Sequence, residues 1–129
     1  MAIRTGAEPS HYYNSGLCKS RLDKIPEAID DFTKALAAFS NDATEEIYNC
    51  RFNRGTCHRR LGNLEKSIED FRKAIETKQD RSAAYNNLGL SLFEHGEYED
   101  ALTNYTSAIK LDRSAKHYDN RGLANYHFD

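Results

Sequence analysis

Three segments of the chain share one spacing of apolar positions. They read EAIDDFTKAL (residues 27–36), KSIEDFRKAI (66–75) and DALTNYTSAI (100–109). In each segment, small or apolar residues occupy positions i, i+1, i+4, i+7 and i+8, and they therefore fall on one face of a helix. The pattern predicts three amphipathic helices, each with an aromatic residue at the centre of its apolar face.

A second motif precedes each of these helices and occurs a fourth time near the end of the chain. It reads NSGL, NRGT, NLGL and NRGL, with glycines at Gly16, Gly55, Gly89 and Gly122. The glycines are 39, 34 and 33 residues apart, and the residues around them also have helical spacing. Short breakers at 22–24, 61–63 and 95–97 separate the two helices of each unit. The sequence predicts an all-α protein of about three and a half helix–turn–helix units.

These units resemble tetratricopeptide repeats, a family of helix-hairpin solenoids. The third unit has the family's signature residues in the expected places: Tyr85, Leu88, Gly89, Gly96, Tyr98, Ala101, Tyr105, Ala108, Leu111 and Asp112. The resemblance implies a right-handed superhelix with a concave inner surface. It implies repeats over about residues 10–40, 48–81 and 82–114 and a half repeat over 115–129. From its composition, the stretch over residues 1–9 is expected to be a disordered tail or cloning remnant.

The units depart from the family pattern in three ways. No unit ends with the family's proline, Ser67 replaces a small alanine, and the first connection has five extra residues within 38–46. We expect these changes to loosen the turns between units without changing the fold.

Composition limits the classes of function that fit the chain. With 129 residues and a net charge of -2, it has room for one domain and no global basic field that would attract nucleic acid or a membrane. No apolar run approaches the roughly 18 residues that span a bilayer, and the N-terminus lacks the apolar region of a signal peptide. The three cysteines show no CxxC spacing, and Cys18 and Cys57 are predicted to be small packing residues. We expect a cytoplasmic protein without cofactor or metal.

Catalysis has no support in the sequence. The five histidines are scattered, and none has a cysteine, serine or carboxylate at a spacing that indicates a catalytic triad. No Gly-rich phosphate loop is present. His58 occupies a position where packing is expected, and we predict that its hydrogen bonds are satisfied there. We therefore expect that the protein is not an enzyme.

Helical periodicity predicts which side of each first helix points away from the core, and the resemblance implies that this side lines the concave groove. The groove side contains the asparagine of every unit: Asn14, Asn53, Asn87 and Asn120. It also contains four aromatic residues and three arginines: Tyr13, Phe52, Phe93, Tyr126, Arg21, Arg59 and Arg60. Glu94 and Asp119 are expected towards the end of the groove away from the arginines.

The four asparagines in register suggest a use, because asparagine is a poor residue inside a helix. A primary amide has both donors and an acceptor, so it can bind the backbone of an extended peptide regardless of its side chains. The resemblance implies the same role, since several tetratricopeptide families have such an asparagine ladder. The alternative is that asparagine is merely frequent at this position.

The other groove residues suggest what the peptide would contain. Aromatic side chains are the usual anchors of a binding surface, so they would hold apolar groups. The arginines would favour acidic groups, or they form an ordinary solvated face. Arg54 lies at a neighbouring position and is interpreted as structural.

Many cochaperones of the family grip a C-terminal carboxylate with a clamp of lysine, asparagine and arginine side chains. When the clamp positions are counted from the first unit of this chain, Asn53 is the only residue of the required type. The other four positions are occupied by Tyr13, Leu17, Ala83 and Asn87, which do not fit. We therefore predict a scaffold or adaptor that binds an extended protein segment without this clamp. The alternative is a structural element that assembles through its open C-terminal helix, so the chain is expected to be a monomer or to self-associate weakly.

Overall fold

The computed structural model describes residues 8–112, and within that range the chain folds into six α-helices without a strand. The helices are α1 (Pro9–Arg21), α2 (Ile25–Ala38), α3 (Thr44–Arg60), α4 (Leu64–Thr77), α5 (Ser82–Glu94) and α6 (Tyr98–Leu111). Each odd-numbered helix packs on the next one to form a hairpin, and the hairpins stack through α2–α3 and α4–α5 contacts. The predicted all-α stack of hairpins is confirmed. The predicted half unit over 115–129 lies outside the described residues.

Each hairpin turns through one residue in the left-handed conformation. Asp23, Gly62 and Gly96 have φ angles of 64°, 80° and 87°. In every turn the next N–H donates to a carbonyl five residues earlier at 2.8 Å, which satisfies an otherwise unpaired carbonyl at the end of the helix. Aspartate is one of the few residues other than glycine that visits this region, so the first turn keeps the geometry without a glycine.

The glycine of each NxG motif lies where the two helices of a hairpin approach most closely. A Cβ at Gly16 would lie 2.7 Å from the ring of Phe32, well inside the 3.5–4.0 Å of an ordinary carbon–carbon contact. Gly55 lies under Phe71 in the same way, and a Cβ at Gly89 would overlap the ring of Tyr105. The glycines therefore let each central aromatic ring be enclosed between the helices.

The contacts between hairpins show which side of the stack is concave. The first helix of each hairpin contacts the first helix of the next hairpin, α1 with α3 and α3 with α5. Among the described residues, no contact joins α2 to α4 or α4 to α6. The stack is thus narrower on the side of the first helices, and α1, α3 and α5 line its inner face.

Contrary to the prediction from the sequence, the extra residues of the first connection do not loosen the turn between the first two units. Helix α3 has 17 residues, whereas α1 and α5 have 13 each. Most of the insertion therefore adds a helical turn at the start of α3 rather than loosening the connection, because Glu45 and Glu46 there favour the positive end of the helix dipole.

Polar groups are paired inside the first two hairpins. Asp31 of α2 accepts bonds from Ser15 and Lys19 of α1 at 2.7 and 2.9 Å. The buried Asp70 of α4 forms a two-pronged pair with the guanidinium of Arg54, at 2.7 and 2.8 Å. Arg54 also donates to the Thr33 hydroxyl of the preceding hairpin, so its interpretation as a structural residue is confirmed.

The departure at Ser67 also has a structural reason. Its hydroxyl is buried and lies 2.8 Å from the hydroxyl of Ser91 in α5. The pair joins the second hairpin to the third with a hydrogen bond that an alanine could not form.

Candidate peptide-binding groove

The predicted asparagines lie on the inner helices at equivalent places. Asn14 of α1 is exposed, and Asn53 of α3 and Asn87 of α5 are half-buried. Asn14 and Asn87 have no side-chain hydrogen bond to any other described residue. Asn120 lies outside the described residues. Two amides are thus unengaged, and they lie on the helices that form the concave side.

Asn53 has a more specific arrangement than the sequence suggested. Its Nδ2 donates to the carbonyl of Asn49 at 2.8 Å and to the hydroxyl of Tyr13 at 3.2 Å. The carbonyl of Asn49 can only accept, so the amide nitrogen must face it and both N–H groups are used. The side chain of Asn53 therefore offers a partner only its oxygen, whereas the prediction had assumed a donor and an acceptor at every asparagine.

The aromatic residues of the groove side are less exposed than predicted. Tyr13, Phe52 and Phe93 are each half-buried, since each ring packs on another aromatic ring. Tyr13 lies 5.9 Å from Phe32, and Phe93 lies 5.2 Å from Tyr98, measured between ring centroids. These residues therefore extend the core towards the surface of the inner helices. Tyr126 lies outside the described residues.

The three arginines of the groove side differ in their environments. Arg59 donates to Glu94 at 2.6 Å, and Arg60 donates to Asp23 at 2.9 Å. The expectation that Glu94 lies away from the arginines is therefore wrong, because stacking brings the ends of α3 and α5 side by side. Arg21 is exposed. These surface ion pairs hold the side chains only weakly, at about 0–1 kcal/mol each.

Two other residues differ from their predicted environments. Asn86 has helical spacing that assigns it to the groove side, but it is 1% exposed.

His58 is buried as predicted, yet its Nδ1 has no hydrogen-bond partner among the described residues. Burial lowers the pKa of His58, while Asp70, whose carboxylate lies 4.0 Å from Nε2, acts in the opposite direction. The prediction of satisfied hydrogen bonds is wrong at this site.

The cysteines divide into two environments. Cys50 and Cys57 are buried, and burial raises the pKa of Cys50 to about 11 and that of Cys57 above its usual value. Both thiols are therefore protonated and unreactive at neutral pH. Cys18 is exposed, which contradicts its predicted packing role, because the first hairpin has no preceding unit in the described range to cover it.

Within residues 8–112 no three side chains form a metal-binding group, and no helix is long and apolar enough to cross a membrane.

Sequence reasoning missed a cluster at the start of α3 and α5. Arg81 binds Glu45 through both terminal nitrogens, at 2.6 and 2.7 Å, and its guanidinium lies 5.2 Å from the centre of the Tyr48 ring. A signal for it exists in the sequence, because Glu45 and Arg81 are opposite charges 36 residues apart, about one repeat. Arg59 and Glu94 are 35 residues apart and show the same relation.

Comparison with solved structures finds the same architecture in other proteins. The first TPR of Spaghetti (RPAP3), bound to the HSP90 peptide SRMEEVD, is 20% identical, with a TM-score of 0.86 over 94% of this chain and 93% of that one. The TPR domain of Arabidopsis OM64 is 17% identical, with a TM-score of 0.83 over 92% and 95% of the two chains. The Sgt2 TPR domain of Aspergillus fumigatus is 21% identical, with a TM-score of 0.81 over 98% and 85%. At these identities the likeness shows the fold.

Comparison at the level of sequence gives the family. No curated protein sequence matches the chain significantly. The family model described as tetratricopeptide repeat matches residues 8–80 and 52–114, two overlapping ranges that together cover most of the chain. The two ranges span all six described helices, from α1 to α6. The chain belongs to the tetratricopeptide-repeat family.

Proposed function

We propose that this domain is a protein-interaction module that binds an extended segment of a partner protein along α1, α3 and α5. The observation that carries the proposal is the row of amides on the inner helices, with Asn14 and Asn87 unengaged and the oxygen of Asn53 open. Asn120 would extend the row. The role is binding, as a scaffold or adaptor, and not catalysis.

The amides fit the backbone of an extended chain. A peptide in that conformation presents N–H and C=O groups at regular intervals, and each needs a partner when the groove excludes water. The oxygen of Asn53 would accept a peptide N–H, whereas Asn14 and Asn87 would each donate and accept. These bonds involve the peptide backbone and do not depend on the peptide's side chains. They would therefore supply affinity, whereas the neighbouring groups of the groove would select the peptide sequence.

The neighbouring groups give the groove two kinds of surface. Tyr13, Phe52 and Phe93, with Tyr126, would contact apolar side chains through their exposed edges. Arg21, Arg59 and Arg60 would favour acidic side chains at the C-terminal ends of α1 and α3. The ion pairs of Arg59 and Arg60 are surface pairs, so an acidic peptide can compete for them at small cost.

Binding of a free C-terminal carboxylate is not part of the proposal. The Spaghetti domain is bound to the peptide SRMEEVD, and the fold is similar. Here, however, Ala83 and Asn87 stand where the carboxylate clamp needs cations. We expect SRMEEVD to show no saturable binding to this chain in fluorescence anisotropy.

The test starts with a phage-displayed library of random peptides, panned against the whole chain. Selected peptides are labelled and their Kd measured by anisotropy for wild type, for Asn53→Ala/Asn87→Ala and for the control Asn41→Ala/Asn104→Ala. Asn104 resembles Asn53 in donating to a carbonyl of its own helix, but it lies on α6. Loss of three hydrogen bonds, one at Asn53 and two at Asn87, should cost about 3 kcal/mol and weaken binding about 150-fold in the groove variant alone.

Two outcomes would refute the proposal: no peptide is enriched over an empty-bead control, or the groove variant binds as well as the control variant. Light scattering of the same samples tests the alternative role. A concentration-dependent dimer that Leu123→Asp abolishes would instead support assembly through the C-terminal helix.

A further inference from the structure

An open depression of about 500 Å³ lies between the start of α3 and the start of α5. This volume is within the range of about 300–1,000 Å³ that is typical of ligand sites. The α3–α5 depression is bounded by Asn49 and Asn53 on one side and by Arg81 and Ala83 on the other. It lies about 15 Å along α3 from the arginines at the helix end, at 1.5 Å per residue, and is therefore a separate part of the groove.

The floor of the depression is aromatic and uncharged. Tyr48 is 5% exposed and stacks on Phe52, with ring centroids 5.8 Å apart and an angle of 26° between the planes. Phe52 in turn meets Phe71 edge-on at 5.7 Å, so the floor is fixed by the core. Burial raises the pKa of Tyr48 to about 12, and its phenol is therefore neutral at physiological pH.

The charged groups at the rim disfavour a further carboxylate, because Arg81 binds Glu45 through two bonds, whereas Arg59 and Arg60 each bind their carboxylate through one. Arg81 uses both terminal nitrogens on Glu45, and its Nε lies 3.4 Å from Asp80. Among the described residues that line the depression, no other side chain is a cation. An acidic side chain that entered would meet the carboxylate of Asp80 without an unengaged partner, which is unfavourable in a partly dehydrated site.

A basic side chain is disfavoured for the opposite reason. The guanidinium of Arg81 already lies over the ring of Tyr48, 5.2 Å from its centre. A second cation seeking the same aromatic surface would be placed close to this one, and like charges at short range repel. Asp80 would attract such a cation, but its side chain is 77% exposed and pairs with Arg81, so this attraction is screened. The depression therefore has complementary chemistry for an uncharged group.

The proposed function supplies the chain that would bring this group, and the inference rests on it. The open oxygen of Asn53 lies at the wall of the depression and can accept one backbone N–H of an extended segment. Successive side chains of an extended segment point to opposite sides, so one residue near this bond would face the aromatic floor.

We propose that the α3–α5 depression binds one uncharged aromatic or large aliphatic side chain of an extended partner segment and excludes acidic and basic side chains. The partner is thus recognised through an internal apolar residue at this place. Acidic residues, where the partner has them, lie towards the arginine end.

The direct test uses small probes that do not depend on the rest of the groove. ¹⁵N-labelled protein is titrated with N-acetylphenylalanine amide, N-acetylaspartate amide and Nα-acetyllysine amide, followed by heteronuclear NMR. The phenylalanine probe should shift the backbone amides of Ser82 and Ala83 and the side-chain amide of Asn49, with at least about tenfold higher affinity than the other two probes. Equal binding of the aspartate or lysine probe, or shifts elsewhere on the surface, would overturn the inference.

Two variants of Ala83 sharpen the test, because this residue is exposed and its replacement leaves the core unchanged. Ala83→Trp should fill the depression and abolish the shifts caused by the phenylalanine probe. Ala83→Lys should add an unengaged cation and raise the affinity for the aspartate probe at least about threefold. The controls are Ala37→Trp and Ala37→Lys, the same changes at an exposed alanine of α2, and they should leave all three probes unaffected.

The two proposals fail in different ways. If the phenylalanine probe binds the depression but the peptide library yields no binder, the peptide-binding function is wrong and the depression stands as a small-molecule site. If library peptides bind through the asparagines while the phenylalanine probe causes no shifts, or while Ala83→Trp leaves those shifts intact, the assignment of the depression is wrong.

Discussion

The glycine and the asparagine of each NxG motif are two residues apart, but they belong to regions with opposite properties. Gly16, Gly55 and Gly89 lie in the contact between paired helices, where the facing aromatic rings are 0–1% exposed. Asn14 and Asn87 lie on the inner helices α1 and α5 and have no bond to another described side chain or backbone group. The hairpin contact therefore determines the fold, and the unengaged amides of the inner helices support the proposal that this side binds a partner. Substitutions in the two regions should therefore have separate effects.

The largest effect on stability is expected from Asp70→Ala in the hairpin contact. The change leaves the guanidinium of Arg54, 21% exposed, without its carboxylate, and removing one partner of a buried pair costs about 3–5 kcal/mol. Asp30→Ala is the matched control, because Asp30 pairs with Lys34 on the exposed face of α2. The free energy of unfolding from urea titration measures both. A cost for Asp70→Ala below about 1 kcal/mol would show that the pair contributes little to the fold.

A smaller but still large effect is expected from Gly89→Ala. The new methyl group would overlap the enclosed ring of Tyr105, and overpacking of a core costs about 1–3 kcal/mol, partly offset by the better helix propensity of alanine. Gly62→Ala is the comparison, because no atom lies within 4 Å of a Cβ there and only the left-handed φ of 80° opposes it. If Gly89→Ala were as stable as the wild type or more stable, as the helix propensity of alanine alone predicts, steric contact at Gly89 would not be the constraint.

A modest, pH-dependent effect is expected from His58. Its pKa is lowered in the folded state by burial, so the unfolded chain binds more protons and stability falls as pH decreases from about 7 through the unfolded value of about 6.5 towards the lower folded value. His58→Gln should flatten this part of the pH profile of unfolding while the acidic limb from carboxylates remains. An unchanged slope between pH 7 and the acidic limb would mean that another group is responsible.

The smallest effect on stability is expected from Asn87→Ala on the groove face. No described group bonds to its side chain, and alanine is the better helix former, so the free energy of unfolding should change by less than about 0.5 kcal/mol. Asn53→Ala loses bonds to Asn49 and Tyr13 and should cost slightly more. If Asn87→Ala lowered the free energy of unfolding by more than about 1.5 kcal/mol, the side chain of Asn87 would have a structural role.

What the sequence could predict follows from local periodicity. The apolar spacing and the glycines depend on contacts between helices close in the chain, so the hairpins, the turns and the role of Gly55 were accessible. The neighbours of Asn53, Arg59 and Glu94 depend on the displacement between successive hairpins. A helical wheel describes one helix at a time and does not give this displacement. Opposite charges about one repeat apart, as at Glu45 and Arg81, would have indicated these pairs.

Other differences have equally specific causes. The extra residues before Tyr48 could form a loop or a helical turn, and the apolar spacing does not decide between them, whereas Glu45 and Glu46 favour the helical turn that the structure shows. The unsatisfied Nδ1 of His58 depends on which groups of the folded chain surround the imidazole, and the local sequence pattern does not contain this information. The exposure of Cys18 depends on what lies before α1, which the local pattern does not specify.

The central claim is that the groove face serves binding and the hairpin contact serves folding. It is tested most directly by measuring the urea midpoint and the Kd for a library-selected peptide on the same samples of wild type and Asn53→Ala/Asn87→Ala. We predict that the midpoint stays nearly unchanged while the Kd rises about 150-fold, the equivalent of three hydrogen bonds. An unchanged Kd, or a Kd that rises only in proportion to a loss of stability, would contradict the claim.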